Sequence, residues 1–276
     1  MASFDTELDT ARRIARQAGD ILLRIYATDF AVQDKAGGMG PVTEADEQAN
    51  AFIVAELRKA FPGDGVVAEE SDNGSEGRRE RCWYVDPLDG TQEFVNRNGE
   101  FAIHIGLAVG GQAKVGVVFR PVGDVLYSGV VGQGGFVERE GARTALRVSD
   151  VAEPASMRLV VSRSHRSKTT DAVAKQLGIT KEKESGSVGL KCGLLAEATA
   201  DIYIHTSGKS YRWDNCAPEA VLRSAGGILT DLGGTPYAYD GSELQNHRGL
   251  LACNAVAFPH VQPVVARFAR EAGILR

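Results

Sequence analysis

The hydrophobic period changes twice along this 276-residue chain, and those changes limit the folds open to it. Between residues 4 and 25, Phe4, Leu8, Ala11, Ile14, Ala18, Ile21, Leu22 and Ile25 recur at three- and four-residue steps, with acids early and arginines after them. This spacing predicts an amphipathic helix. It returns at Ala49, Phe52, Ile53 and Leu57 and stops at Pro62 and Gly63. From residue 65 the segments GVVAEE, RCWYVD, FAIHIGLAV, KVGVVFRP and VLYSGVV read as strands parted by turn residues, with GQGG at 132–135 as a hairpin turn. Beyond residue 150 the two patterns alternate: strands at 158–162, 201–205, 227–231 and 249–253, and helices near 168–177, near 189–199, from about 215 and at the C-terminus. The expected fold is mixed, with an N-terminal α+β half over 1–150 and a C-terminal α/β half over 151–276 packed layer on layer.

Several function classes fall away on composition. No apolar run approaches the ~20 residues of a membrane span. A formal net charge of -5 is a poor footprint for a polyanion binder, so no nucleic-acid partner is expected. Cys82, Cys192, Cys216 and Cys253 are widely spaced and form no CxxC pair, which argues for reduced thiols. The N-terminal stretch lacks the basic start and apolar block of a secretory signal, and a cytoplasmic location is expected.

Four acids sit at expected strand ends or at a helix start: Glu69, Asp86, Asp89 and Asp214. Gathered without cations they would repel one another and push at least one pKa upward. A hard divalent ion such as Mg²⁺ or Mn²⁺ removes that cost, whereas the five histidines show no metal-binding spacing and His104 reads as a structural residue. Pro87 stiffens the chain between two of the acids, and Gly90 permits a sharp turn whose N–H groups at Gly90 and Thr91 can face a phosphate. Metal and anion would share one pocket, and phosphomonoester hydrolysis is the chemistry that follows. Each acid alone has a plainer reading: Glu69 and Glu70 as loop charges, Asp89 as a turn residue, Asp214 and Asp46 as helix caps.

The segments EES (69–71), DPLDGT (86–91) and WD (213–214) resemble, in order and spacing, the signature segments of the inositol monophosphatase superfamily of Mg²⁺-dependent, lithium-inhibited phosphatases. The resemblance implies a layered αβαβα sandwich. It also implies a metal set of Glu69, Asp86, Asp89, the Leu88 carbonyl and Asp214 holding two or three Mg²⁺ ions, most of it in the first half and Asp214 in the second. Thr91 and Asp46 resemble the pair that orients and deprotonates the attacking water, and Glu70 the further acid beside the metals. DKAGGMGP (34–41) lies where relatives have a mobile loop, although an ordinary inter-helix loop explains its glycines equally well.

GTQEF (90–94), NGEF (98–101), the Leu190–Lys191 pair and WDNCAPE (213–219) are similar to the 3'(2'),5'-bisphosphate nucleotidase branch. The stretch before WD, IHTSGKSYR, has no glutamate of the kind that inositol-specific members use for ring hydroxyls. This likeness implies a small phosphorylated metabolite as partner, 3'-phosphoadenosine 5'-phosphate, with Gly90, Thr91, His165, Ser187, Lys191 and His205 around it, in a monomer or homodimer. Lys209 and Arg212 suit either a second phosphate or the solvated surface. An inositol or sugar-phosphate phosphatase of the same family and a non-catalytic phosphometabolite sensor remain the competing readings. An aspartyl-phosphate mechanism of the haloacid-dehalogenase type is disfavoured by the extra residue between Asp86 and Asp89.

Overall fold

The computed structural model describes residues 3–34, 41–71, 79–164, 166–241 and 243–275. Helices α1 (Asp5–Tyr26) and α2 (Glu44–Ala60), with the ribbon β1 (Val32–Asp34) and β2 (Pro41–Thr43) between them, precede a seven-stranded sheet. Its strands lie in the order β3 (Gly65–Ala68), β4 (Arg81–Asp89), β5 (Ala102–Val109), β6 (Gln112–Arg120), β7 (Val125–Val130), β8 (Gly134–Arg139) and β9 (Ala142–Ala145). Only the β3–β4 pair is parallel, and the short helix α3 (Thr91–Val95) joins β4 to β5. The second half supplies β10 (Arg158–Ser162), α4 (Lys168–Leu177), β11 (Lys181–Ser185), α5 (Val188–Ala196), β12 (Ile202–His205), β13 (Ser210–Tyr211), α6 (Arg212–Ser224), β14 (Gly227–Thr230), β15 (Gln245–Asn246), β16 (Leu250–Asn254) and α7 (Phe258–Glu271). Its main sheet has five strands in the order β11-β10-β12-β16-β14.

Side-chain alternation along the strands decides how the layers stack. Trp83 and Val85 of β4, with Ile103, Ile105 and Leu107 of β5, turn to Ile14, Leu22, Ile53 and Leu57 of the first two helices. Cys82, Tyr84, Ala102 and Ala108 turn the other way, onto Leu190 and Leu195 of α5 and Cys216, Ala217 and Ala220 of α6. Those helices also meet Tyr203, Leu250 and Ala252 of the second sheet, whose outer face, carrying Leu159, Val161, Leu251 and Cys253, is covered by α4 and α7. The result is the expected αβαβα sandwich.

Two glycines set how closely α6 approaches. A Cβ on Gly106 would lie 2.6 Å from the Ala217 nitrogen, and one on Gly116 would lie 2.3 Å from the Ala217 oxygen. Helix α6 therefore rests on bare backbone of β5 and β6, which fixes where its N-terminal Asp214 lies. Gly116→Val is expected to cost at least ~1–3 kcal/mol through overpacking, read as a lowered midpoint in thermal denaturation; an unchanged midpoint would mean the helix can lift away freely.

Candidate active site

In a regular strand residues three apart point to opposite faces, which would separate Asp86 from Asp89. The β4–β5 ladder instead shifts register here: Asp86 pairs with His104 and Asp89 with Ala102, so three steps on β4 oppose two on β5. This bulge, at Pro87 and Leu88, brings the two carboxylates together. The Leu88 amide donates to Asp86 Oδ1 at 2.9 Å and pins the buried carboxylate. Oxygens of Asp86 and Asp89 and a ring nitrogen of His104 lie within 4.8 Å of one another. Parallel pairing brings in Glu69, whose amide donates to the Val85 carbonyl at 3.1 Å and which therefore stands beside Asp86 on the neighbouring strand.

His104, read from its alternation as a structural residue, stands beside Asp89: its Nε2 is 3.1 Å from Asp89 Oδ2. Its Nδ1 is buried without a hydrogen-bond partner, so the proton serving Asp89 belongs on Nε2. Ser187 Oγ donates to the same carboxylate oxygen at 2.5 Å and the Gly189 amide at 3.3 Å. Burial by itself would raise the Asp89 pKa; His104 and Lys191 beside it and the Ser187 hydroxyl outweigh it and hold the carboxyl well below its usual range. Asp89 is an anion here.

Thr43 caps α2, and Asp46, fully buried at the third helical position, accepts from both the Thr43 amide and its hydroxyl at 2.8 Å. The capping reading of Asp46 is therefore correct, yet only half its carboxylate is spent that way. Oδ1 faces Thr91 Oγ1 at 3.1 Å, and that hydroxyl lies 3.3 Å from the Leu88 carbonyl oxygen. Gly90, at φ 97°, makes the turn that starts α3 and brings Thr91 there. Asp214 repeats the arrangement on α6, accepting from the Tyr211 amide at 2.8 Å. Burial raises the Tyr203 pKa well above its ordinary value.

Lys191 is buried, donating from Nζ to the Gly186 and Ser185 carbonyls at 2.9 and 3.4 Å, with its ammonium 5.0 Å from the centre of the Tyr203 ring. Burial pushes the Lys191 pKa down, against Asp89, Glu93 and Glu100. Neither this lysine nor Ser187 presents its polar group solely to the pocket. His205 ends β12 half-buried. The amide of Glu70's neighbour-in-space Asn50 donates to the Glu70 carbonyl at 3.3 Å. Arg212 is engaged structurally, donating to the Ala238 carbonyl at 2.9 Å and stacked 4.7 Å over Tyr237. His165 and the glycines at 37, 38 and 40 lie outside the described residues.

The donor set fits a metal. Two carboxylates that converge repel one another unless a cation lies between them, and their oxygens match a hard divalent ion. Among the described residues no helix is long and apolar enough to cross a membrane.

Comparison with known proteins places the chain in a family. The model described as the inositol monophosphatase family matches residues 5–265. The 3'(2'),5'-bisphosphate nucleotidase CysQ of Escherichia coli (strain K12) is 38% identical over 238 residues, covering 84% of this chain and 93% of that protein. The solved structure of CysQ from Bacteroides thetaiotaomicron, a bacterial member of the same family, is 29% identical with a TM-score of 0.77, over 91% of this chain and 98% of that one. A Thermotoga maritima IMPase is 26% identical with a TM-score of 0.80, over 96% and 98%. The chain belongs to the inositol monophosphatase family, a family of metal-dependent phosphomonoesterases.

Proposed function

We propose that the chain hydrolyses the 3'-phosphate of 3'-phosphoadenosine 5'-phosphate, giving AMP and inorganic phosphate. The observation that carries this choice of substrate is the 38% identity to the E. coli bisphosphate nucleotidase over 84% of the chain. Glu69, Asp86, the Leu88 carbonyl, Asp89 and Asp214 would hold two or three Mg²⁺ ions. Once bound, such ions polarise the phosphorus and stabilise the leaving oxygen.

The remaining work falls to the chain's own groups. Thr91 directs its hydroxyl proton to Asp46, 3.1 Å away, which leaves a lone pair on Oγ1 to receive a proton from the attacking water. As the new P–O bond forms, the bond to the 3'-oxygen breaks, and that oxygen takes a proton from solvent to become the hydroxyl of AMP. The Gly90 and Thr91 amides face the departing phosphate, and Glu70 supplies the further acid beside the ions. His165, Ser187 and His205 would border the nucleotide, while the Lys191 charge acts on its second phosphate from behind the Ser185–Gly186 turn.

Phosphate release in Mg²⁺ is the direct test, with 3'-phosphoadenosine 5'-phosphate and inositol 1-phosphate compared side by side. The nucleotide is expected to show kcat/KM at least ~10²-fold higher, since a site built to pair polar groups rejects a ligand that leaves them unpaired, and chelation is expected to abolish both signals. Faster turnover of inositol phosphate would transfer the protein to the inositol branch. Cleavage of neither would favour a sensor.

A further inference from the structure

Two segments that marked the nucleotidase likeness, GTQEF and NGEF, place Glu93 and Glu100 against the second half of the chain. Glu100 receives a two-pronged guanidinium from Arg163, Nε to Oε2 at 2.8 Å and a terminal nitrogen to Oε1 at 2.9 Å. The same Oε2 accepts the Gly186 amide at 2.8 Å. Arg163 also pairs with Glu184 at 2.9 Å, and its own amide donates to the Ser185 carbonyl at 3.2 Å. Ser164, next along, donates to the buried Glu93 at 2.5 Å.

The turn gripped in this way is packed without slack. A Cβ on Gly186 would lie 2.3 Å from the Glu100 carbonyl oxygen and 2.7 Å from Glu93 Cγ. The next residue, Ser187, sits at φ 43° and ψ 133°, a conformation that side-chain-bearing residues rarely adopt. Such backbone strain persists only where surrounding contacts enforce it. Ser187 is also the residue whose hydroxyl donates to Asp89.

We infer that Glu100 and Arg163 are positioning residues, a clamp between the two halves that holds Gly186 and keeps strained Ser187 against Asp89. This rests on the reading of Asp89 as a metal ligand. Burial would raise the Glu100 pKa, but Arg163 and the Gly186 amide more than offset it and keep the carboxyl ionised for both partners. An ordinary exposed ion pair contributes little to stability, so a purely structural clamp would be nearly silent when cut. A positioning clamp would not be, because groups that orient a metal ligand typically cost ~10–100-fold in metal affinity when removed.

The test is Mn²⁺ titration of the metal-free protein, followed by the paramagnetic signal of the free ion, alongside kcat in saturating Mg²⁺ and the thermal midpoint. Glu100→Gln and Arg163→Ala are expected to weaken Mn²⁺ binding ~10-fold or more and to lower kcat, with a small change in midpoint, and Arg163→Lys to recover part of the loss. Arg158→Ala provides the contrast: Arg158 binds Asp201 at 2.8 Å on the far end of β10, so its loss should lower the midpoint and leave Mn²⁺ affinity alone. Wild-type affinity in both clamp variants, or an equal loss in Arg158→Ala, would overturn the inference. Absence of Mn²⁺ binding by the wild type would instead overturn the metal reading and this inference with it.

Discussion

Asp89→Asn is expected to lower kcat by at least ~10³-fold, equivalent to ~4 kcal/mol of transition-state stabilisation, a plausible scale for losing a metal ligand. The fold should survive, with the thermal midpoint lowered by several degrees. The Ser187 hydroxyl, the Gly189 amide and His104 Nε2 all converge on Oδ2, and an asparagine oxygen in that position still accepts from them. The substitution replaces the other oxygen by an NH₂ group, which cannot ligate a cation, and it removes the negative charge that His104 and Lys191 lie against. Exchanging a charged acceptor for a neutral one weakens each hydrogen bond by ~1 kcal/mol, and a chain of this size loses ~2–4 °C of midpoint per kcal/mol. The decisive comparison is kcat in saturating Mg²⁺ against the thermal midpoint of the same preparation. Turnover within ~10-fold of wild type would remove Asp89 from the metal set, whereas collapse of the midpoint with loss of activity would show that its partners depend on the charge to fold.

The layer order was legible because hydrophobic period reports which face of an element is buried, and α1, α2 and the strands from β3 to β7 carry strong periods. The strand β11 was not. Its sequence, KEKES, has four charged residues, all exposed in the structure, as suits a sheet edge protected by charge rather than covered by a core. Strand β9 was missed for a related reason: it is exposed throughout and leaves no apolar alternation to read. Helix α6 begins at Arg212, not near 215, because Asp214 turns back to the Tyr211 amide from inside the first turn.

The site divides in the same way. Asp86 and Asp89 could be found from their local motif, while the partners that fix Asp89 could not. His104 reaches it through strand register, and Ser187 lies 98 residues further along the chain. One usable signal was passed over: Gly106 and Gly116 stand inside otherwise apolar strands, where a missing side chain marks close approach of another backbone. Reading them that way would have predicted a helix packed directly on the middle strands, and so a position for Asp214.

Asp46→Asn and Thr91→Val are each expected to lower kcat by ~10²–10⁴-fold, the usual worth of a positioned proton acceptor. The double variant is expected to be little worse than either single one. The geometry requires this dependence: Thr91 Oγ1 can accept the proton of water only while its own proton is drawn to Asp46 Oδ1, 3.1 Å away, so losing either member disables both. A valine at position 91 keeps the branched shape and loses the hydroxyl. An asparagine at 46 retains an oxygen for the Thr43 amide and hydroxyl, each 2.8 Å from Oδ2, so the start of α2 should lose no more than ~1 kcal/mol. Single-turnover rates and thermal midpoints on all three variants separate the two roles of this carboxylate. If Asp46 serves only as a cap, its substitution will lower the midpoint and spare kcat. If the two losses multiply in the double variant, Thr91 and Asp46 act independently, and the proton does not pass between them.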